Sequence, residues 1–247
     1  DWRAGLYIFS AAFLGLTVLW MFLGRERRTE TYRRQEASQD TNVLLGAMKH
    51  RDLWVGGLGF LGVTTTWNAF LSFFPTLMLD TYGISLGWSG VILAMGIFVG
   101  GMTGMGFGYF SMNYGGEKLI LKTLGLVMAG TYIGMTLTHS INALLVLSFI
   151  NGIAWGFWPL LFTIPFHLPG IRPREVAVAA AFIMMNASIG GALGPLTAGF
   201  LQETLGGLRQ ALLVISFTCL ALTLAGIMLQ STGQRQEEAR PYPITGD

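Results

Sequence analysis

The chain has 247 residues, 52% of them hydrophobic and only 11% charged, with a mean hydropathy of +0.56. A soluble domain carries about 25% charged residues, so the polar coat that water demands is largely missing and a soluble globular domain is excluded. A net charge of +2 is too small to point to a nucleic-acid partner. The single cysteine, Cys219, lies in an apolar run and excludes both a disulfide framework and a cysteine metal cluster.

Hydrophobicity arrives in blocks of bilayer length, since about 20 apolar residues in a helix cross about 30 Å of hydrocarbon. Seven spans are read, at 5–24, 53–79, 88–111, 119–138, 142–167, 176–201 and 211–229. The fold class is thus an all-α membrane protein with seven transmembrane helices. A charged stretch, 25–51, separates the first span from the other six, and within it Leu44 to Met48 followed by Lys49, His50 and Arg51 reads as a short interfacial helix. The domains drawn are a leading helix (1–24), a basic cytoplasmic loop (25–51), a six-helix bundle (52–230) and a disordered cytoplasmic tail (231–247). The first residue is Asp and a span follows almost at once, so the chain reads as cut from something longer.

Orientation follows from the basic residues. With the 25–51 loop placed inside, thirteen of the fifteen Lys and Arg are inside, and only Arg3 and Arg209 are outside. The positive-inside rule then puts the long loop and the tail in the cytoplasm of a multi-pass protein of the cytoplasmic (inner) membrane. The Arg-rich segments of the loop read as topology anchors in contact with anionic lipid.

The six-span block also reads as a repeat of three plus three helices. Its first and fourth helices carry aromatics and amides ahead of a proline: Trp67 and Asn68 before Pro75, then Asn151, Trp155 and Trp158 before Pro159. The second and fifth are rich in small residues, and the third and sixth are plainly apolar. Such internal duplication is common in transporter folds.

The sharpest local signal is a glycine ladder. Gly96, Gly100, Gly104 and Gly108 recur every four residues, with Gly101 and Gly106 beside them. This spacing makes a smooth helix face against which another backbone packs closely, a main source of helix association in lipid. The fifth helix of the block has a related face, Ala187, Gly191, Pro195 and Gly199, with Gly194 alongside. Both faces serve either static packing or an interface that moves during function; Pro195 removes one backbone hydrogen bond and allows local bending.

The segment 108–118, Gly-Tyr-Phe-Ser-Met-Asn-Tyr-Gly-Gly-Glu-Lys, resembles the cytoplasmic loop signature Gly-x-x-x-Asp-Arg-x-Gly-Arg-Arg of the major facilitator superfamily. Gly108 and Gly115 match, whereas Met112 and Asn113 replace the charged pair to which a gate-latch role is attributed in that family. The segment 186–203 is similar to the family's penultimate helix, and the layout of one span, a basic loop and six spans is similar to its second half. The segment 168–175, Leu-Pro-Gly-Ile-Arg-Pro-Arg-Glu, resembles the branch with cyanate-type small-anion permeases.

The resemblance implies two six-helix bundles that rock about a central site, with five further helices ahead of this chain and with the first and fourth helices of each bundle lining the cavity. On those helices, Thr64, Asn68 and Ser72 share one face, and Asn151 and Trp155 share another. An amide in hydrocarbon needs a partner or water, so Asn68 and Asn151 either contact a solute or bond a neighbouring helix. Asn186 is a further candidate contact. Trp67 sits a step off the Thr64–Asn68–Ser72 face and is read as facing lipid or another helix.

No acidic residue lies deep in a span, and His50, His139 and His167 lie near interfaces. Intramembrane ionisable groups usually mark proton relays, so if transport is proton-coupled the titrating group belongs to the other half; facilitated diffusion, exchange and coupling by neutral ligands are the remaining options. An enzyme would need a nucleophile–base pair, a metal cluster or paired carboxylates at one depth, and none is present. The function read is secondary active or facilitative transport of a small-molecule substrate across the lipid bilayer, without cofactor or metal. A channel or a non-transporting receptor of the same fold is the alternative.

Overall fold

A computed structural model describes residues 2–24, 43–114, 116–168, 171 and 173–229. The 25–42 part of the basic loop, the tail from residue 230 and parts of the 108–118 and 168–175 segments lie outside the described residues. The chain divides into two compact units, Asp1–Thr41 and Asn42–Asp247. The first unit contributes one helix, α1 (Trp2–Leu23), which carries apolar residues around most of its circumference.

All described structure is helical, as a chain of this composition requires. In lipid, backbone N–H and C=O groups find no water, and a helix satisfies them within one segment. The second unit opens with α2 (Val43–Met48), a single turn and a half at the position of the short helix read from the loop. Then follow α3 (Arg51–Tyr82), α4 (Leu86–Tyr114), α5 (Glu117–Leu137), α6 (Ile141–Trp155), α7 (Trp158–Thr163), a 3₁₀ turn (Ile164–His167), α8 (Pro173–Leu205), α9 (Leu208–Ser216), a second 3₁₀ turn (Phe217–Cys219) and α10 (Leu220–Met228).

Among the described residues, five helical stretches are long and apolar enough to cross a membrane: Leu86–Phe110, Lys118–Leu137, Ile141–Phe166, Glu175–Leu205 and Leu208–Met228. The 32-residue α3 has ample length but is diluted by the Thr64–Thr65–Thr66 run, Asn68, Ser72 and its glycines. The apolar part of α1 is the shorter Tyr7–Leu23.

Two of the read spans are broken rather than continuous. At the end of α6, the Gly156 and Phe157 amides bond back only three residues, to Ile153 and Ala154. Pro159 has no amide hydrogen with which to resume the α-helical pattern, so the helix restarts as α7. Between α9 and α10, the 3₁₀ turn coincides with cross-helix bonding. The Thr218 hydroxyl donates to the Gly62 carbonyl at 2.7 Å, and the Thr66 hydroxyl donates to the Ile215 carbonyl at 2.9 Å. At its other end, α3 closes on Gly83 in the left-handed region (φ +66°). Its amide bonds Leu79, while Ile84 bonds Met78, the pairing that satisfies a helix's last carbonyls.

Within the second unit, α3 packs most extensively on α8 and also meets α10. Helix α4 packs on α6, and α5 packs on α10 and α6. Phe60, Phe70, Phe74, Met128, Tyr132, Leu144 and Phe157 are fully buried at the centre of these contacts. Close approach is arranged by glycine: a Cβ at Gly59 would press on Ala225 of α10, and one at Gly226 on the α5 backbone at Lys122.

Candidate functional site

The glycine ladder of α4 faces α6 and α7. A Cβ on Gly96 would meet the Ser148 hydroxyl at 3.1 Å, one on Gly100 the Trp155 Cβ at 3.0 Å, and ones on Gly104 and Gly108 the Pro159 ring at 3.6 Å. The α6 side is equally bare, since a Cβ on Gly152 would strike the Gly96 carbonyl and Val99. Thr103 donates at 3.3 Å to the Gly152 carbonyl, and Ser148 donates to the Ile92 carbonyl across the same contact. In hydrocarbon, contacts of this kind hold helices together where burial of apolar surface cannot.

The tryptophans flank the Gly156–Phe157 break, Trp155 ending α6 and Trp158 opening α7. The Trp155 indole N–H donates at 3.1 Å to the Tyr132 hydroxyl of α5. Trp67 of α3 meets Trp155 edge-on, with ring centroids 5.3 Å apart, and Trp158 meets the Trp155 ring at 6.2 Å and the Phe60 ring edge-on at 4.5 Å. Between these rings and α4 lies a cavity of about 480 Å³, lined by Trp67, Gly96, Ile97, Gly100, Gly101, Gly104, Met105, Trp155, Trp158 and Pro159. It lies near mid-length of α3, of α4 and of the α6–α7 stretch. Among the described residues, no charged side chain lines it.

The remaining candidate residues occupy other places. The Asn151 amide is buried and donates at 2.7 Å to the Thr131 hydroxyl of α5. Asn68, half-buried, donates at 2.9 Å to the Thr64 carbonyl of its own helix and lies beside Gly191 of α8. The Thr64 hydroxyl bonds the Phe60 carbonyl and stands against Gly190. Ser72 is exposed. Asn186 is buried, donates at 2.9 Å to the Phe182 carbonyl and faces Gly57 of α3.

Gly194 sits where α8 crosses α3, and a Cβ there would run into the Thr65 carbonyl and the Ala69 amide. Pro195, inside α8, is half-buried next to it, and Gly199 has open space around it. Of the candidate residues, the structure therefore brings Trp155, Gly96, Gly100 and Gly104 to the cavity. It gathers Thr64, Asn68, Asn186, Gly191 and Gly194 at the α3–α8 crossing.

Trp67 faces another helix, one of the two alternatives its position leaves open: its ring meets Trp155 of α6 and also lines the cavity. An indole is large enough to reach around from the edge of a helix face, so a position one step off the polar face still contributes its ring. The signal that could have found it was the recurrence of tryptophan at matching places in the first and fourth helices of the block.

Membrane-length apolar helices packed through glycine faces define a multi-pass helical membrane protein. The model of the Major Facilitator Superfamily matches residues 1–195, and the chain belongs to that superfamily. It is 25% identical over 182 residues to the uncharacterized transporter YybO of Bacillus subtilis (strain 168), covering 69% of this chain and 41% of that one. It is 20% identical over 226 residues to the probable nitrate/nitrite antiporter NarK1 of Thermus thermophilus, covering 83% of this chain and 50% of that one. The fold is similar to the crystal structure of a bacterial homolog of the human lysosomal transporter Spinster, in its inward-facing and unoccupied conformation. That match has a TM-score of 0.61 at 16% identity and covers 89% of this chain and 54% of that one. The chain thus spans about half the length of the curated relatives it matches.

Proposed function

We propose that this chain is the second half of a solute transporter, together with the helix before it, and that its cavity is one wall of a central substrate site. The observation that carries this reading is the mid-length cavity itself, on the helices that the superfamily fold turns toward its partner bundle. Seven helices cross the membrane: α1, α3, α4, α5, α6–α7, α8 and α9–α10. The bundle from α3 onward is a three-plus-three repeat. Exchanging α3 with α6–α7, α4 with α8 and α5 with α9–α10 carries the α3–α8 contact onto α4–α6. The same exchange carries α3–α10 onto α5–α6 and leaves α5–α10 unchanged, which supports the repeat.

Five further helices complete the other bundle, and the two bundles rock to expose the cavity alternately to each side of the inner membrane. The tail is cytoplasmic, a placement that the distribution of basic residues supports. NarK1, by its name, handles nitrate and nitrite, but among the described residues no basic side chain lines this wall; the substrate here is a small organic solute whose charge, where it has one, is met by the other bundle. Counterflow in proteoliposomes made with the full-length protein tests the reading. Saturable, substrate-dependent exchange supports it. Intact, ligand-binding protein that shows no exchange refutes it, and flux that rises linearly without saturation points to a channel.

A further inference from the structure

We infer that the cavity accepts a flat aromatic ring, laid against the bare α4 backbone at Gly101 and flanked by Trp67, Trp155 and Trp158; this rests on reading the cavity as the solute site. Size comes first. A volume of about 480 Å³ lies within the roughly 300–1,000 Å³ of small-molecule sites. The chemistry of the lining comes second. Three indoles, Ile97, Met105 and Pro159 offer polarizable apolar surface, and the Trp155 N–H is already committed to Tyr132. The charged residues of α3 (Arg51, Asp52 and Asp80) stand at its two ends, far from the cavity at mid-length. An anion or a strongly hydrated inorganic cation gains little from such a wall, whereas a π-system does, and an organic cation is the rival that the test below separates.

Shape decides between a ring and a chain. Gly100 and Gly104 turn toward α6 and α7, but a Cβ on Gly101 would meet nothing within 4 Å. At this point α4 presents backbone alone to the cavity, a floor on which a planar group lies closer than a puckered one. The opposite side is fixed beforehand. Tyr132 holds the Trp155 indole by its N–H, and ring contacts to Trp155 and Phe60 hold Trp67 and Trp158. A lining ordered before binding loses little conformational freedom when the ligand arrives. A flexible acyl chain would exploit neither the floor nor the ordered rings.

Ring-on-ring packing beyond area burial corresponds to roughly two- to tenfold in affinity. The test compares naphthalene-2-carboxamide with its saturated counterpart, decahydronaphthalene-2-carboxamide, and with tetramethylammonium. Binding to the full-length protein in nanodiscs is followed by saturation-transfer NMR, with empty nanodiscs subtracted. The inference predicts that the flat amide binds about three- to tenfold tighter than the puckered one. It also predicts that Trp67→Leu and Gly101→Leu each abolish that preference.

Equal affinity, binding of neither amide, or a preference that survives both substitutions overturns the inference. Tetramethylammonium that competes with the flat amide at comparable affinity also overturns it, in favour of an aromatic cage for cations. Saturable counterflow without ring preference sinks this inference and leaves transport standing. Ring-selective binding without counterflow supports the inference and removes transport.

Discussion

Gly100 and Gly101 are neighbours on α4, yet the structure gives them opposite sensitivities to the same substitution. At Gly100 the first added carbon would lie 3.0 Å from the Trp155 Cβ and 3.3 Å from the Gly152 carbonyl oxygen, so the neighbours must give way before the rest of a side chain is placed. Gly100→Leu adds three further carbons where the α4 and α6 backbones come closest, and overpacking of this kind costs about 1–3 kcal/mol. At Gly101 nothing lies within 4 Å, and Gly101→Leu grows into the cavity. Both changes gain the same ~1 kcal/mol of helix propensity over glycine, so that gain cancels between them. At roughly 2–4 °C per kcal/mol for a chain of this size, Gly100→Leu should melt about 2–12 °C below Gly101→Leu. Thermal denaturation of the two purified variants in nanodiscs, run beside ligand binding, separates packing from occlusion: Gly100→Leu loses stability, and Gly101→Leu keeps stability but loses binding. Equal melting temperatures, or a lower one for Gly101→Leu, would refute the reasoning.

Three other perturbations follow from particular hydrogen bonds. Asn151→Ala removes the bond from α6 to Thr131 of α5 and should cost about 0.6–1.7 kcal/mol; a double-mutant cycle with Thr131→Ala should show the two losses to be non-additive, and additive losses would contradict the contact. Tyr132→Phe leaves the Trp155 indole N–H without its partner; it should weaken flat-ring binding about two- to threefold, shift tryptophan emission and lower stability by about 1 kcal/mol. Thr66→Val removes the bonds to Ile215 and Thr218 that tie α3 to the 3₁₀ turn; it should lower stability by about 1–2 kcal/mol without altering ring preference, measured in the same two assays.

Much of this arrangement was legible in the residues because lipid leaves few choices. Runs of bilayer length must be helices, and a glycine every four residues must lie on one face, so the α4 ladder and its closeness to another backbone follow from spacing alone. The side to which a helix turns its amides did not follow. Asn151 and Asn68 satisfy their hydrogen-bonding needs from Thr131 and from the Thr64 carbonyl, and a spacing rule sees only that they need partners. The helix breaks were half visible: Gly156 and Pro159 mark the first, but the turn at Phe217–Cys219 contains neither residue and coincides with bonds to Thr66 and Gly62 that span 149 to 156 positions in sequence. Spacing leaves Trp67 facing lipid or another helix, and the second holds; that its ring also reaches the cavity did not follow, because a wheel position describes where a Cβ points, not how far an indole reaches.

The central claim is that the α3, α4 and α6–α7 wall faces a solute path rather than lipid. The most direct measurement is labelling of a Gly101→Cys variant of the full-length protein by a membrane-impermeant thiol reagent, applied from each side of sealed vesicles in turn. The native Cys219 is fully buried, so the signal comes from the new thiol. The account predicts modification from both sides, with solute shifting the balance between them. Modification from neither side, with ready reaction toward a lipid-soluble maleimide, would place Gly101 against the bilayer and contradict it.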